Sequence, residues 1–221
     1  MAPLLVGLTV VSGLVDAFSY LELGHVFVAN MTGNVVVLAF ALAGAKGFSI
    51  GASLSALAAF WVGAFLGGRL GERFGSHRGE LLSVAVFVQS ACFLAAVIVN
   101  LVSHHPLPAS GRYPLVAVLA VAMGIQNATV RRLAVPGLTT TVLTLTITGA
   151  AVDTASMADE KPSPVRSYIS VLALFLGALA GALLELRVNT SIPLIAALAV
   201  AIAVVVAARR ASKPDSPWRT V

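Results

Sequence analysis

Stretches of mostly apolar residues, separated by short polar, glycine- or proline-bearing intervals, run through the chain from end to end. About eight such segments stand out, over residues 3–21, 26–45, 50–70, 81–102, 113–130, 136–152, 165–186 and 191–208. A helix needs about 20 apolar residues to cross the ~30 Å hydrocarbon core of a bilayer, and most of the segments approach that length. The pattern predicts an all-α fold, a polytopic transmembrane helix bundle. The third, fourth and seventh segments are long and uninterrupted. Only a few polar residues part the first from the second, and the sixth is short and rich in threonine, so six to eight crossings fit the pattern. Short segments interrupted by Gly or Pro mark the discontinuous helices on which transporters build binding sites.

The intervals agree with this division. Residues 71–80 (GERFGSHRGE) and 104–112 (HHPLPASGR) are polar and turn-forming. Residues 158–164 (ADEKPSP) are acidic, carry proline and belong in water. Residues 1–208 read as a single transmembrane domain, and 209–221 as a basic, flexible tail with too little apolar surface to fold alone. The opening MAPLLVGLTV lacks the basic start and small-residue cleavage site of a signal peptide, so it reads as the beginning of a retained helix.

An internal repeat organises the domain into residues 1–103 and 113–208, with a period of roughly 110 residues. GLVDA at 13–17 is echoed by GIQNA at 124–128. Thr32 aligns with Thr144 after a one-residue shift, Gly63 and Gly67 with Gly177 and Gly181, and Arg73 with Arg187. Four crossings in each half give two copies of the same orientation, whereas an odd number inverts one relative to the other.

Composition narrows the class. The chain has 221 residues, of which 58% are hydrophobic and 10% charged, and its mean hydropathy is +0.96. A soluble domain carries about 25% charged residues, far more than this chain offers to water. The net charge of +5 is spread singly and in pairs between apolar runs. It suits anionic headgroups and membrane orientation, and it forms no continuous face for nucleic acid. With eight crossings the basic residues divide almost evenly between the two sides. Arg209, Arg210 and Lys213, directly after the last segment, favour cytoplasmic termini.

Several chemistries lack their residues. Cys92 is the single cysteine, so no internal disulfide or cysteine metal cluster forms. No P-loop, HExxH or GxSxG motif occurs, and His104–His105 are adjacent in a loop rather than spaced as ligands. Ser19 near His25 is the only start of a nucleophile–base pair, so no enzyme, catalytic residue, metal or cofactor is expected.

Polar residues inside apolar segments supply the candidate site, because polar groups at that depth must be paired or face a wet cavity. Asp16 is the sharpest of them. As a carboxylate it needs a cation or several donors, which suits an ion- or proton-coupled carrier and equally a structural pin between two halves. Its counterpart Asn127 keeps the shape without the charge. Asn30, Thr32 and Asn34, around Gly33, present donors and acceptors of both kinds and suit a polar ligand or a helix N-terminus. Thr140, Thr144 and Thr148 share one helical face, as a polar path or as hydroxyls bonded to their own helix. Gln126 and Asn127 precede Arg131 and Arg132, which reach for headgroups or bind a phosphate. The GxxxG pairs Gly63/Gly67 and Gly177/Gly181 let helices touch within the chain.

The sequences GLVDAFSYLELGHVFVANMTGN (13–34) and GIQNATVRRLAVPGLTTTVLT (124–144) resemble the YoaK-type family of bacterial membrane proteins, a domain of unknown function. The likeness covers nearly the whole chain, to about residue 208. It implies a multi-pass bacterial inner-membrane protein and carries no established activity. The second half has Thr144-Leu-Thr where the first has Thr32-Gly33-Asn34. The residues themselves point to a small permease in the lipid bilayer with a polar site between two repeats, taking a small polar or ionic substrate. The rival reading is a non-transporting scaffold or lipid-binding protein. No nucleic-acid partner is expected, and no feature indicates a homo-oligomer.

Overall fold

A computed structural model describes residues 1–103, 107–135, 147–148 and 164–211. Among these, seven helices are defined: α1 (Ala2–Glu22), α2 (Met31–Leu42), α3 (Ile50–Phe74), α4 (Arg78–Val102), α5 (Ala109–Leu133), α6 (Pro164–Arg187) and α7 (Ile192–Ala211). Six of them, all but α2, are long and apolar enough to cross a membrane. The polytopic helical bundle expected from hydropathy is what forms. Segment 136–152 lies outside the described residues apart from Ile147 and Thr148. α7 continues through Ala211, so Arg209 and Arg210 belong to a helix rather than to the tail.

Side-chain ties fix the directions of the helices. Asn100 Nδ2 donates to Ser191 Oγ at 3.0 Å, and Arg209 Nε to Ser83 Oγ at 3.2 Å, so α4 and α7 are antiparallel. The Arg78 guanidinium donates to the Leu133 carbonyl, joining the start of α4 to the end of α5. Residues 75–77 and 188–191 are tight connections that reverse the chain.

Glycines set the two closest crossings. A Cβ on Gly177 meets the Val10 carbonyl oxygen, and one on Gly181 meets Leu14 and Ala17, so α1 and α6 are parallel and in backbone contact. A Cβ on Gly63 meets the Val121 carbonyl oxygen, and one on Gly67 meets Ile125 and Ala128, so α3 and α5 are related likewise. Gly13 and Gly124 complete the crossings from the other side, against Leu174–Ala178 and Phe60–Ala64. No residue with a side chain fits at such an approach, which is the use of small residues between membrane helices. α1, α4 and α6 therefore run one way, and α3, α5 and α7 the other. α1 and α5 thus point in opposite directions. Among the described residues 1–103 three helices are long and apolar enough to cross, where hydropathy allowed four.

Apolar side chains face outward as well as inward. Leu8, Val11, Val15 and Phe18 of α1, Phe93 of α4 and Leu119 and Met123 of α5 are fully buried. Trp61 and Phe65 of α3 and Phe175 and Leu186 of α6 are exposed. A surface of that kind has hydrocarbon as its solvent. α1, α4 and α5 form the interior, with α3 and α6 laid against it through the glycine crossings.

Gly63→Leu and Gly177→Leu are expected to destabilise the protein by ~1–3 kcal/mol or more through overpacking. Gly68, beside which a Cβ finds open space, is expected to tolerate leucine. Thermal melting in detergent, read against wild type, distinguishes the two classes.

Candidate functional site

α1 leaves its helical path at Leu23, and the next two residues reverse the chain with positive φ, +94° at Gly24 and +58° at His25. The following stretch, 26–30, is not helical. It runs back along α1 until Val28 and Ala29 stand beside Asp16. Asp16 lies six residues before the end of α1, roughly 9 Å along the axis, so the segment re-enters the depth that α1 has crossed. α2 starts there and returns. Its 12 residues rise only about 18 Å, short of a crossing. The connection beyond it comes back to His25, whose Nδ1 lies 3.0 Å from the Gly47 carbonyl oxygen. The second predicted segment, 26–45, is thus re-entrant and does not span. A non-helical stretch leads in and a half-helix leads out.

Backbone groups of a non-helical segment at that depth have no water to bond, and two side chains serve them instead. Asp16 Oδ1 accepts from Val28 N–H at 2.9 Å and Ala29 N–H at 2.7 Å. Asn34 treats Phe27 as a strand neighbour does: its Oδ1 accepts from Phe27 N–H at 2.8 Å, and its Nδ2 donates to Phe27 C=O at 2.6 Å. Asn30 caps α2, its Oδ1 accepting from Gly33 N–H at 3.2 Å. The carboxylate therefore sits at the N-terminal end of a half-helix, where exposed N–H groups and the helix dipole favour negative charge. Gly33 is helical, and an added Cβ would meet the Phe27 ring at 2.8 Å. Its role is to admit that ring.

The predicted residues divide into groups. Asp16, Asn30 and Asn34 are brought together around the re-entrant segment, with Thr32 exposed on the first turn of α2. Asn127 is half-buried on α5, and its Nδ2 donates to the Met123 carbonyl at 2.9 Å. Gln126 enters a second cluster. Its Nε2 donates to Ser12 Oγ at 3.0 Å and more weakly to the Leu8 carbonyl at 3.3 Å, while its Oε1 accepts from Gln89 Nε2 at 2.6 Å. Ser12 lies one helical turn before Asp16, so the two clusters adjoin along α1. Thr140 and Thr144 lie outside the described residues. Arg131 and Arg132 are exposed at the end of α5.

Ser12 and Gln89 were not singled out from the sequence. Gln89 interrupts the apolar run VAVFVQSACF with a side-chain amide, and that interruption is the signal for it. Ser19 Oγ donates to the Asp16 carbonyl at 3.2 Å, while His25 meets the Tyr20 ring edge to face with ring centroids 5.1 Å apart.

The stretches that build this site also carry the resemblance to known proteins. The family model described as "Protein of unknown function (DUF1275)" matches residues 4–207. The chain belongs to that family. It is 32% identical over 142 residues to the UPF0700 transmembrane protein YoaK of Bacillus subtilis (strain 168), covering 63% of this chain and 61% of that relative. The match thus spans less than two thirds of the relative's length. No solved structure matches.

Removing the Asn34 carboxamide leaves both polar groups of Phe27 unpaired, and each unsatisfied group costs about 1–3 kcal/mol. Asn34→Ala is therefore expected to destabilise more than Asn30→Ala, whose position is exposed. Thermal melting gives the order. A cysteine placed at Val28 should react faster with a thiol reagent in the Asn34→Ala background.

Proposed function

We propose that the protein is a small permease of the bacterial inner membrane, whose re-entrant segment forms the polar site for a small polar or ionic substrate. The observation that carries this reading is a half-helix with its N-terminus at membrane depth, held by a single carboxylate. Discontinuous helices of that kind, in chains built from halves of opposite direction, are the binding elements of secondary transporters. Asp16 is the coupling or ligand-pairing group, with Asn30, Thr32, Asn34, Gln126, Asn127, Thr140 and Thr144 as polar contacts. A ligand or proton that takes Asp16 from Val28 and Ala29 frees the segment to move, which ties occupancy of the site to its shape.

Two inverted repeats fit the reading. Val10, Gly13, Leu14 and Ala17 of α1 meet α6 in the arrangement in which Val121, Gly124, Ile125 and Ala128 of α5 meet α3. The halves thereby exchange their third segments, each clasping the first helix of the other. Six crossings also break the near tie in charge. Arg73, Arg78, Arg131, Arg132, Arg209 and Arg210 gather at one end, with Arg69 and Arg166 close by, whereas Lys46, Arg112 and Arg187 stand at the other. By the positive-inside rule the arginine-rich end is cytoplasmic, and the start of α1 and the end of α7 share it.

A second reading, a non-transporting scaffold, draws on the same bonds. Asp16 and Asn34 spend their hydrogen bonds on backbone. Melting of wild type and Asp16→Asn across a panel of ions and small polar solutes separates the two, since a ligand of the folded state raises its stability by mass action. A saturable shift seen in wild type and lost in a folded Asp16→Asn supports the permease. No shift with any solute, together with a large loss of stability in Asp16→Asn, gives the scaffold. Reporter fusions are expected to place both termini in the cytoplasm and an insertion at Lys46 on the opposite side.

A further inference from the structure

α3 and α4 are joined by a tight turn, yet they diverge from it. α3 leans on α5 through Gly63 and Gly67, while α4 is tied to α7 through Ser83 and Asn100. The space between them is a groove of about 580 Å³, within the ~300–1,000 Å³ of ordinary ligand sites. Its walls are Leu66, Leu70, Val88 and Ile125, and its mouth holds Arg69, Glu72 and Arg73.

Position along the helices gives the groove a direction. Arg73 is one residue from the end of α3, and Leu66 is eight. Val88 is ten residues into α4. The apolar part thus reaches about 12–15 Å inward, half of the ~30 Å hydrocarbon core. That is the depth of one leaflet, with the charged mouth at the headgroup level. Arg69 and Arg73 are one turn apart on α3. Arg69 Nε lies 3.9 Å from Glu72 Oε2, both side chains being largely exposed, so the pair holds its arginine weakly. Two guanidinium groups and one carboxylate leave a single positive charge at the mouth.

We propose that this groove binds a phospholipid with a singly negative headgroup, its phosphate between Arg69 and Arg73 and one acyl chain against Leu66, Leu70, Val88 and Ile125. The matching charge, the leaflet-deep apolar wall and the arginine-rich end select this occupant, and the inference does not depend on Asp16.

The test uses the full chain in nanodiscs of phosphatidylcholine with a minority of phosphatidylglycerol, and native mass spectrometry of the lipids retained on release. Phosphatidylglycerol should be enriched on the protein. Its retention should fall about five-fold for each arginine lost in Arg69→Gln and Arg73→Gln, the equivalent of ~1 kcal/mol per basic residue at a membrane surface. Val88→Trp should expel the lipid with both arginines in place. Leu66→Trp, at an already exposed position, should do the same if Val88→Trp fails to fold. Arg210→Gln, at the same end but outside the groove, should change little. Equal retention of the two lipids, or an Arg210→Gln effect as large as those of Arg69 and Arg73, would overturn the proposal. So would displacement by inorganic phosphate that is indifferent to the tryptophan variants, which would make this a site for free anions.

Discussion

Hydrocarbon offers a backbone no hydrogen bonds, and residues 26–30 enter it without a helix. Every other described part of the bilayer-deep chain satisfies its N–H and C=O groups within a helix. This stretch relies on Asp16 for Val28 and Ala29, on Asn34 for Phe27, and on Asn30 for the first turn of α2. One carboxylate and two carboxamides thus make the re-entrant segment feasible. They also locate it, because Asp16 stands at a fixed depth on the buried helix α1. The return of the chain to its starting side follows, and with it the direction of α3 and every helix after it.

Close crossings translate that path into a packed bundle. Little hydrophobic force drives membrane helices together, so contact depends on how near their backbones approach. α1 meets α6, and α3 meets α5, at positions where a single Cβ would strike a carbonyl. Beside these, the Ser12–Gln126–Gln89 chain joins α1, α5 and α4 with amide and hydroxyl bonds in an otherwise apolar interior. Fully connected polar groups of this type fix register, while one left unpaired is costly. Gln89 Oε1 is buried without a bonding partner, which makes this the least satisfied point of the network. The arginines complete the frame at one end, where Arg78 holds α5 and Arg209 holds α4.

Two polar clusters adjoin on α1, one turn apart, and they differ in what they can do. The Gln126 cluster is fully buried and neutral, suited to holding helices in place. Asp16 is half-buried and charged when ionised, and its partners are the backbone of a segment outside the helical framework. Asp16 bonds that segment directly, whereas Gln126 and its partners bond three helices to one another.

The sequence by itself determined the solvent, the secondary structure and the list of residues worth attention. Hydropathy placed six crossing helices within a few residues of their ends, since apolar length is a local property. Asp16, Asn30 and Asn34 were legible because polar side chains in apolar runs demand partners, and Gly63, Gly67, Gly177 and Gly181 because their spacing lines one helical face. Tertiary structure alone decided who the partners are. Residues 26–45 hold enough apolar side chains to read as a crossing, and only the reversal at Gly24 and His25 turns them into a re-entrant loop and half-helix. That reversal changes the number of crossings over residues 1–103 from even to odd, and no count of hydrophobic residues records chain direction. Gln89 meets Gln126, and Gly63 meets Val121, for the same reason: contacts between distant residues depend on how helices run past one another. Local composition specifies each helix, and the partners of its polar groups are set by the path between helices.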